Sequence, residues 1–239
     1  IRACNYENRC GNWSGTSALY MSGFPTTTTI ALPQYKLDEY QGKPLRWDPC
    51  GGVISMKMNP MGHLTSSEIG EWGLLLTEFA EQISSFTGLQ VVYGGLSNVG
   101  FRLSHPDDTT PDILVGFGPQ GTLHMDPITR GGNYFGTGQG WITGYGFGSS
   151  ASWWKIQAHD IQIATDSTLG IDAIAPLSTR THYLMNELGS AFGLGDPGDG
   201  ITSEIMSWGG RGGGSWSKPS WGEGDKIAFG LVGAGNGCL

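Results

Sequence analysis

Apolar residues in this chain switch between two periods, and the switches mark out the elements. In LRWDPCGGVISMKMNP, residues 45–60, Ile54, Met56 and Met58 alternate with Val53, Ser55 and Lys57, a period of two that predicts a strand closed by Pro60. Ser66-Ser67-Glu68 then opens a stretch in which Ile69, Trp72, Leu75, Leu76, Phe79, Ala80 and Ile83 recur at helical spacing. A helix is therefore expected to about Phe86, ended by Thr87-Gly88. LQVVYGG (89–95), PDILVGFG (111–118) and HDIQIAT (159–165) read as three further strands. A second helical pattern follows Ser178 or Thr179 as its cap: Leu184, Leu188, Ala191 and Phe192 form a buried face, and Gly193 and Gly195 stop it. On another face His182, Asn186 and Ser190 fall four apart, with Glu187 beside them.

Two regions lack such periods. Residues 1–44 hold a Gly/Asn-rich opening, the strand-forming run Thr26-Thr27-Thr28-Thr29-Ile30 and the segment Lys36-Leu37-Asp38-Glu39-Tyr40. They are expected to form an extension packed on a main domain of residues 45–239. Residues 131–154 interleave glycine with Tyr134, Phe135, Trp141, Tyr145, Phe147, Trp153 and Trp154. The expectation there is a long rim loop collapsed on its own aromatics; the alternative is a contact face for a polysaccharide or a neighbouring subunit, since flat rings give large contact area at low entropy cost. No fixed-period repeat supports a solenoid.

Composition narrows the function classes. A formal net charge of −8 with no Lys/Arg cluster argues against nucleic acid as a partner. No apolar run is long enough to span a bilayer, and a chain opening on Ile1 reads as a processed, secreted product. Charged residues make up 14%, against about a quarter in ordinary globular proteins, and there are 41 glycines in 239 residues. Such a surface suits a loop-rich extracellular domain or one covered by copies of itself. The four cysteines show no C-x-x-C pair, so disulfides are expected. The short loop favours Cys4–Cys10, leaving Cys50–Cys238, although sequence alone allows three pairings.

Candidate chemistry concentrates in Ser178 to Trp208, STRTHYLMNELGSAFGLGDPGDGITSEIMSW. This stretch resembles the metzincin zinc-protease pattern H-E-x-x-H-x-x-G-x-x-H/D followed by a methionine turn: Glu187, Gly193, Asp196 and Met206 stand where that pattern wants them. Asn186 and Ser190 occupy the places of its two helical histidines. RWDPCGGVISMKMNP, FTGLQVVYGG and GDKIAFGLVGAGNGCL also resemble, in order, the opening strand, helix-to-strand junction and closing helix of the secreted bacterial matrixin-like branch, so the resemblance covers about residues 45–239. It implies an α+β, zincin-like fold: a twisted mixed β-sheet, a backing helix, an active-site-type helix and a methionine turn at Met206.

The resemblance also implies site roles. Asn186, Ser190 and Asp196 match the family's zinc ligands and Glu187 its general base. An amide and a hydroxyl are weak zinc donors, so no zinc cofactor is expected, and Glu187 becomes a residual base position with no activated water. Asn186, Ser190, Glu187 and Asp196 could instead satisfy one another as a polar network. The implied function is a secreted, proteolytically inactive metzincin-like protein acting in binding or extracellular assembly. Two alternatives stand beside it. One is a metal-free cleft in which Glu187 and Asp196 do acid/base work, for example on glycans; the other is a self-assembling surface or filament protein. Protein, glycan and self partners all stay open. A serine nucleophile is disfavoured, because His182 and Ser190 lie two helical turns apart, roughly 12 Å. Asp196, Asp199 and Gly200 read as a plain turn rather than a calcium loop, and Glu204 and Trp208 as structural. His63, His105, His124 and His159 are scattered, and His124-Met125-Asp126 is not expected to bind structural zinc.

Overall fold

Within Ile1–Leu32, the first of two units of the chain, β1 (Ala3–Cys4) and β2 (Cys10–Gly11) pair antiparallel and set Cys4 opposite Cys10. The computed structural model describes residues 3–4, 10–11, 33–101, 111–118, 136–144, 153–164, 177–198, 201, 204–207 and 219–239; for 3–4, 10–11, 136–144, 164 and 177–180 it describes the backbone alone. The second unit, Pro33–Leu239, holds everything else. Its elements run β3 (Lys36–Leu37), β4 (Glu39–Tyr40), β5 (Lys43–Arg46), β6 (Ile54–Asn59), α1 (Ser66–Thr87), β7 (Val91–Leu96), β8 (Ile113–Gly118), β9 (Gly136–Gly144), β10 (Trp154–Ala164), α2 (Leu177–Ala191), β11 (Leu194–Gly195) and α3 (Glu223–Val232).

Seven of these strands form one mixed sheet in the order β4-β5-β10-β8-β6-β7, with β9 joined to β10. Strands β7, β6, β8 and β10 are parallel along the sheet, β9 runs antiparallel to β10, and β4 antiparallel to β5. With three α-helices among the described residues, the class is α+β. The alternation read from β6 holds: Ile54, Met56 and Met58 are buried, Ser55, Lys57 and Asn59 half-buried, and Val53, just before the strand, is exposed. Strand β8 is buried at every position, as a continuous apolar run in the middle of a parallel set should be.

Helix α1 forms where its stripe predicts. Trp72, Leu76, Phe79, Ala80 and Ile83 are buried, and the Trp72 ring meets Phe117 of β8 at 5.0 Å. Its cap is Thr65, one residue before the expected opening. The Thr65 hydroxyl accepts from Glu68 N at 3.3 Å while the Glu68 carboxylate accepts from Thr65 N at 2.8 Å. Gly88 closes the other end in the left-handed region at φ 69°. Helix α2 completes the same core with Leu184, Met185, Leu188 and Phe192. It begins at Leu177, so Ser178 and Thr179 lie inside its first turn rather than before it.

Two expectations need correcting in the region read as a rim loop. Residues 136–144 are strand β9, and β10 begins at Trp154 instead of 159. Glycine fills alternate positions at Gly136, Gly138 and Gly140, so a true period of two carries no hydrophobic signal, and pairing with β10 reveals it. The remainder of that region, 131–135 and 145–152, lies outside the described residues, as does Thr26–Ile30. Residues 33–44, expected within the extension, supply β3, β4 and the start of β5 to the second unit. Cys50 is bonded to Cys238, and no described cysteine is free. Among the described residues, no helix is long and apolar enough to cross a membrane.

Candidate functional site

The site is built on the last two turns of α2 and on what is packed against them. Around residues 181–192 this helix is buried on nearly every side, polar residues included: His182 is 3% and Asn186 6% exposed. Glu187 and Ser190 are half-buried. A buried amide must find partners. Asn186 Nδ2 donates to the Ile205 carbonyl at 3.1 Å and faces Met206 Sδ at 3.9 Å. Ile205 and Met206 are the central residues of a tight turn, Glu204–Ser207, in which Ser207 N donates to Glu204 O at 3.3 Å. The turn comes this close because position 189 is glycine: a Cβ there would collide with Met206 Sδ. Glycine inside a helix costs about 1 kcal/mol relative to alanine, so the close approach is made at the expense of helix propensity.

The other side of the turn is held by α3. Asp225 accepts from Ile205 N at 2.7 Å, Gly222 N at 3.0 Å and Met206 N at 3.4 Å, while Asp225 N donates to the Glu204 carboxylate at 3.0 Å. Both acids are 3% exposed. Burial pushes the Asp225 carboxyl up to about 6, with nearby Glu204 adding to the rise and the three backbone N–H groups opposing it. The turn is thus clasped from α2 by a neutral amide and from α3 by a carboxylate.

Downstream, Gly193 leaves the helix at φ 88°, and a Cβ there would strike the Leu45 carbonyl. Its own carbonyl accepts from Asp38 N at 2.8 Å, and β11 pairs antiparallel with β3, Leu194 opposite Leu37. Trp47 Nε1 donates to Ala191 O at 2.9 Å. The chain then turns at Asp196, whose Oδ1 accepts from Gly198 N at 2.8 Å, and Ser207 Oγ donates to Gly198 O at 2.9 Å.

Of the residues singled out in the sequence, the structure joins Asn186 directly to Met206. Of the expected polar network, Asn186 reaches the turn and Asp196 the Gly198 amide. Asn186 offers an amide, Ser190 a hydroxyl and Asp196 alone a carboxylate, so the set lacks the imidazole and thiolate donors that hold zinc and does not fit a tetrahedral zinc site. Among the described residues, no three His, Cys, Asp or Glu side chains gather as a metal would require. His63 is exposed on the loop before α1 and His159 is buried in β10. His105, His124, Met125, Asp126, Asp199, Gly200 and Trp208 lie outside the described residues. Glu204, expected to be structural, is the residue that holds Asp225 N.

Sequence reasoning missed Asp225 and Gly189. The signal for the first was present: Asp225 stands three residues after Gly222, where an acid at a helix start can accept from the backbone behind it. Compared with known proteins, the chain matches no family model and no curated protein sequence.

Proposed function

We propose that this chain is a metzincin-like domain that has given up zinc and proteolysis and acts by binding. The observation that carries the reading is the hydrogen bond from Asn186 Nδ2 to the Ile205 carbonyl. At the position matching the family's first helical ligand, the side chain gives its NH2 group to the turn below, which here stands for the methionine turn, and offers a metal only an amide oxygen, a weaker ligand than an imidazole. Glu187 then has no metal-activated water to deprotonate. The succession of sheet, backing helix α1, helix α2 and a Met206 turn under it supports the same reading.

A binding face is supported by β9. It pairs with β10 along one edge, and among the described residues no strand pairs with the other. Helix α2 packs beside it. An extended polypeptide added to that edge would gain main-chain hydrogen bonds without any catalytic group. The test is metal content after equilibration with zinc, together with peptidase assay. Wild type is expected to hold no stoichiometric zinc and to leave substrates uncut, while Asn186→His with Ser190→His binds zinc. Stoichiometric zinc on the wild-type protein, lost on Asp196→Ala, would overturn the reading.

A further inference from the structure

One segment of the second unit is held mainly by its main chain. Residues 33–40 form a strap that meets the chain just after α2 and the start of α3, and of these eight only Leu37 is half-buried, the rest exposed. Its ties are backbone ones. Strand β3 pairs with β11, Leu37 opposite Leu194 and Lys36 opposite Gly195, and Asp38 N donates to the Gly193 carbonyl at 2.8 Å. Glycines shape the seat: a Cβ at Gly195 would press on the Leu37 carbonyl at 3.0 Å, and one at Gly224 would collide with the Gln34 carbonyl. Two side chains add to the hold, Leu37 against the core and Tyr40 edge-on to Trp154 at 5.3 Å. A seat of this kind accepts extended backbone and asks little else of it.

The strap is joined to β5 by a strained turn. Glu39 pairs with Pro44 and Tyr40 with Lys43, so Gln41 and Gly42 alone close the hairpin. Both lie in the left-handed region, at φ 51° and 73°. Glycine adopts that conformation freely, but a residue with a Cβ does so at a cost, which Gln41 loses once the turn opens into continuous strand. We propose that two copies of this chain exchange their straps, opening at Gln41-Gly42, so that β3 and β4 of each copy pair with β11 and β5 of the other. A second copy is the occupant that fits, because the seat is shaped for this strap. Every tie of the closed chain is remade in the pair, and strain is released at two turns, which favours exchange as concentration rises. The Glu204 carboxyl borders the same position at Gly224, so exchange would set the strap of one copy against the clasped turn of the other.

The test uses the intact, disulfide-bonded chain, held at high concentration in mild urea and returned to buffer, with mass read by light scattering. Wild type is expected to give a dimer that forms slowly and persists on dilution. Gln41→Gly relaxes the closed turn and is expected to weaken dimerisation by about tenfold or more, since each dimer opens two turns. Gly42→Ala is expected to strengthen it: a Cβ there meets nothing within 4 Å, so the added methyl acts only through the left-handed backbone. Both changes sit in an exposed turn, and urea unfolding of each monomer checks that it folds. A wild type that stays monomeric overturns the proposal. So does a dimer that the two variants leave unchanged or shift in the same direction, since a contact elsewhere on the surface has no reason to sense the backbone at 41 and 42.

Discussion

Helices α1 and α2 lie in one hydrophobic core, yet they treat their polar groups in opposite ways. Helix α1 keeps them at its ends: Thr65 and Glu68 close the start, and Gly88 the finish, while its buried face is Trp72, Leu76, Phe79, Ala80 and Ile83. Helix α2 buries Thr181, His182 and Asn186 along its length and places glycine at 189, inside the helix. Internal glycine is common to both, at Gly70 and Gly73 in α1, but a scaffold helix has no reason to accept buried polar side chains along its length, which cost stability. A helix that must meet a turn at close range does. The difference lies in what each helix packs against, and it can be tested by perturbing each helix separately.

The largest effect belongs to the scaffold side. Leu76→Ala removes a fully buried side chain and should cost about 2–5 kcal/mol in urea unfolding, with hydrogen exchange at Ile205 and Met206 faster only to the extent that global stability falls. A loss under 1 kcal/mol would mean that α1 does not anchor this core. Next comes pH. An unfolded Asp titrates near 3.8, whereas Asp225 in the folded protein titrates at about 6, so between those values the native state holds the extra proton. Stability contributed by Asp225 should therefore fall as pH rises from about 4 to 6 and level off above, by on the order of 3 kcal/mol. Wild type is compared with Asp225→Asn, so that other carboxylates cancel; a difference independent of pH would refute the assignment.

Asn186→Ala should cost about 1–3 kcal/mol, because it strands the Ile205 carbonyl. Its distinguishing mark is local: exchange at Ile205 and Met206 rises while α1 keeps its protection. Uniform loss across both helices would show that the amide is only a packing element. Thr65→Ala is the smallest, about 1 kcal/mol, and should fray the first turn of α1 without touching the turn at Met206.

How much of this was legible depended on whether the information sat in side-chain periodicity. Strands β6 and β8 and helix α1 carry their pattern in apolar residues, and all three fall where the pattern predicts, to within a residue or two. Strand β9 writes its period in glycine, which has no hydrophobic signal, so only pairing with β10 discloses it. At the site, the residue types at 186, 190, 196 and 206 could be read, but their partners could not. Asn186 meets a backbone carbonyl 19 residues away, and Ile205 N meets an acid 20 residues away. Backbone groups are the same at every position in a sequence, so no pattern announces which of them a buried side chain will choose.

The bond between Cys50 and Cys238 joins positions 188 residues apart and so encloses every strand from β6 to β10 and all three helices. A single proteolytic cut anywhere inside that loop leaves one covalent molecule, whose two pieces part only on reduction. A cut upstream of Cys50 has a different result: whatever lies before it is then retained by noncovalent contacts alone. Limited proteolysis run with and without reductant would therefore sort surface cleavages into those the molecule survives intact and those that shed its amino-terminal part.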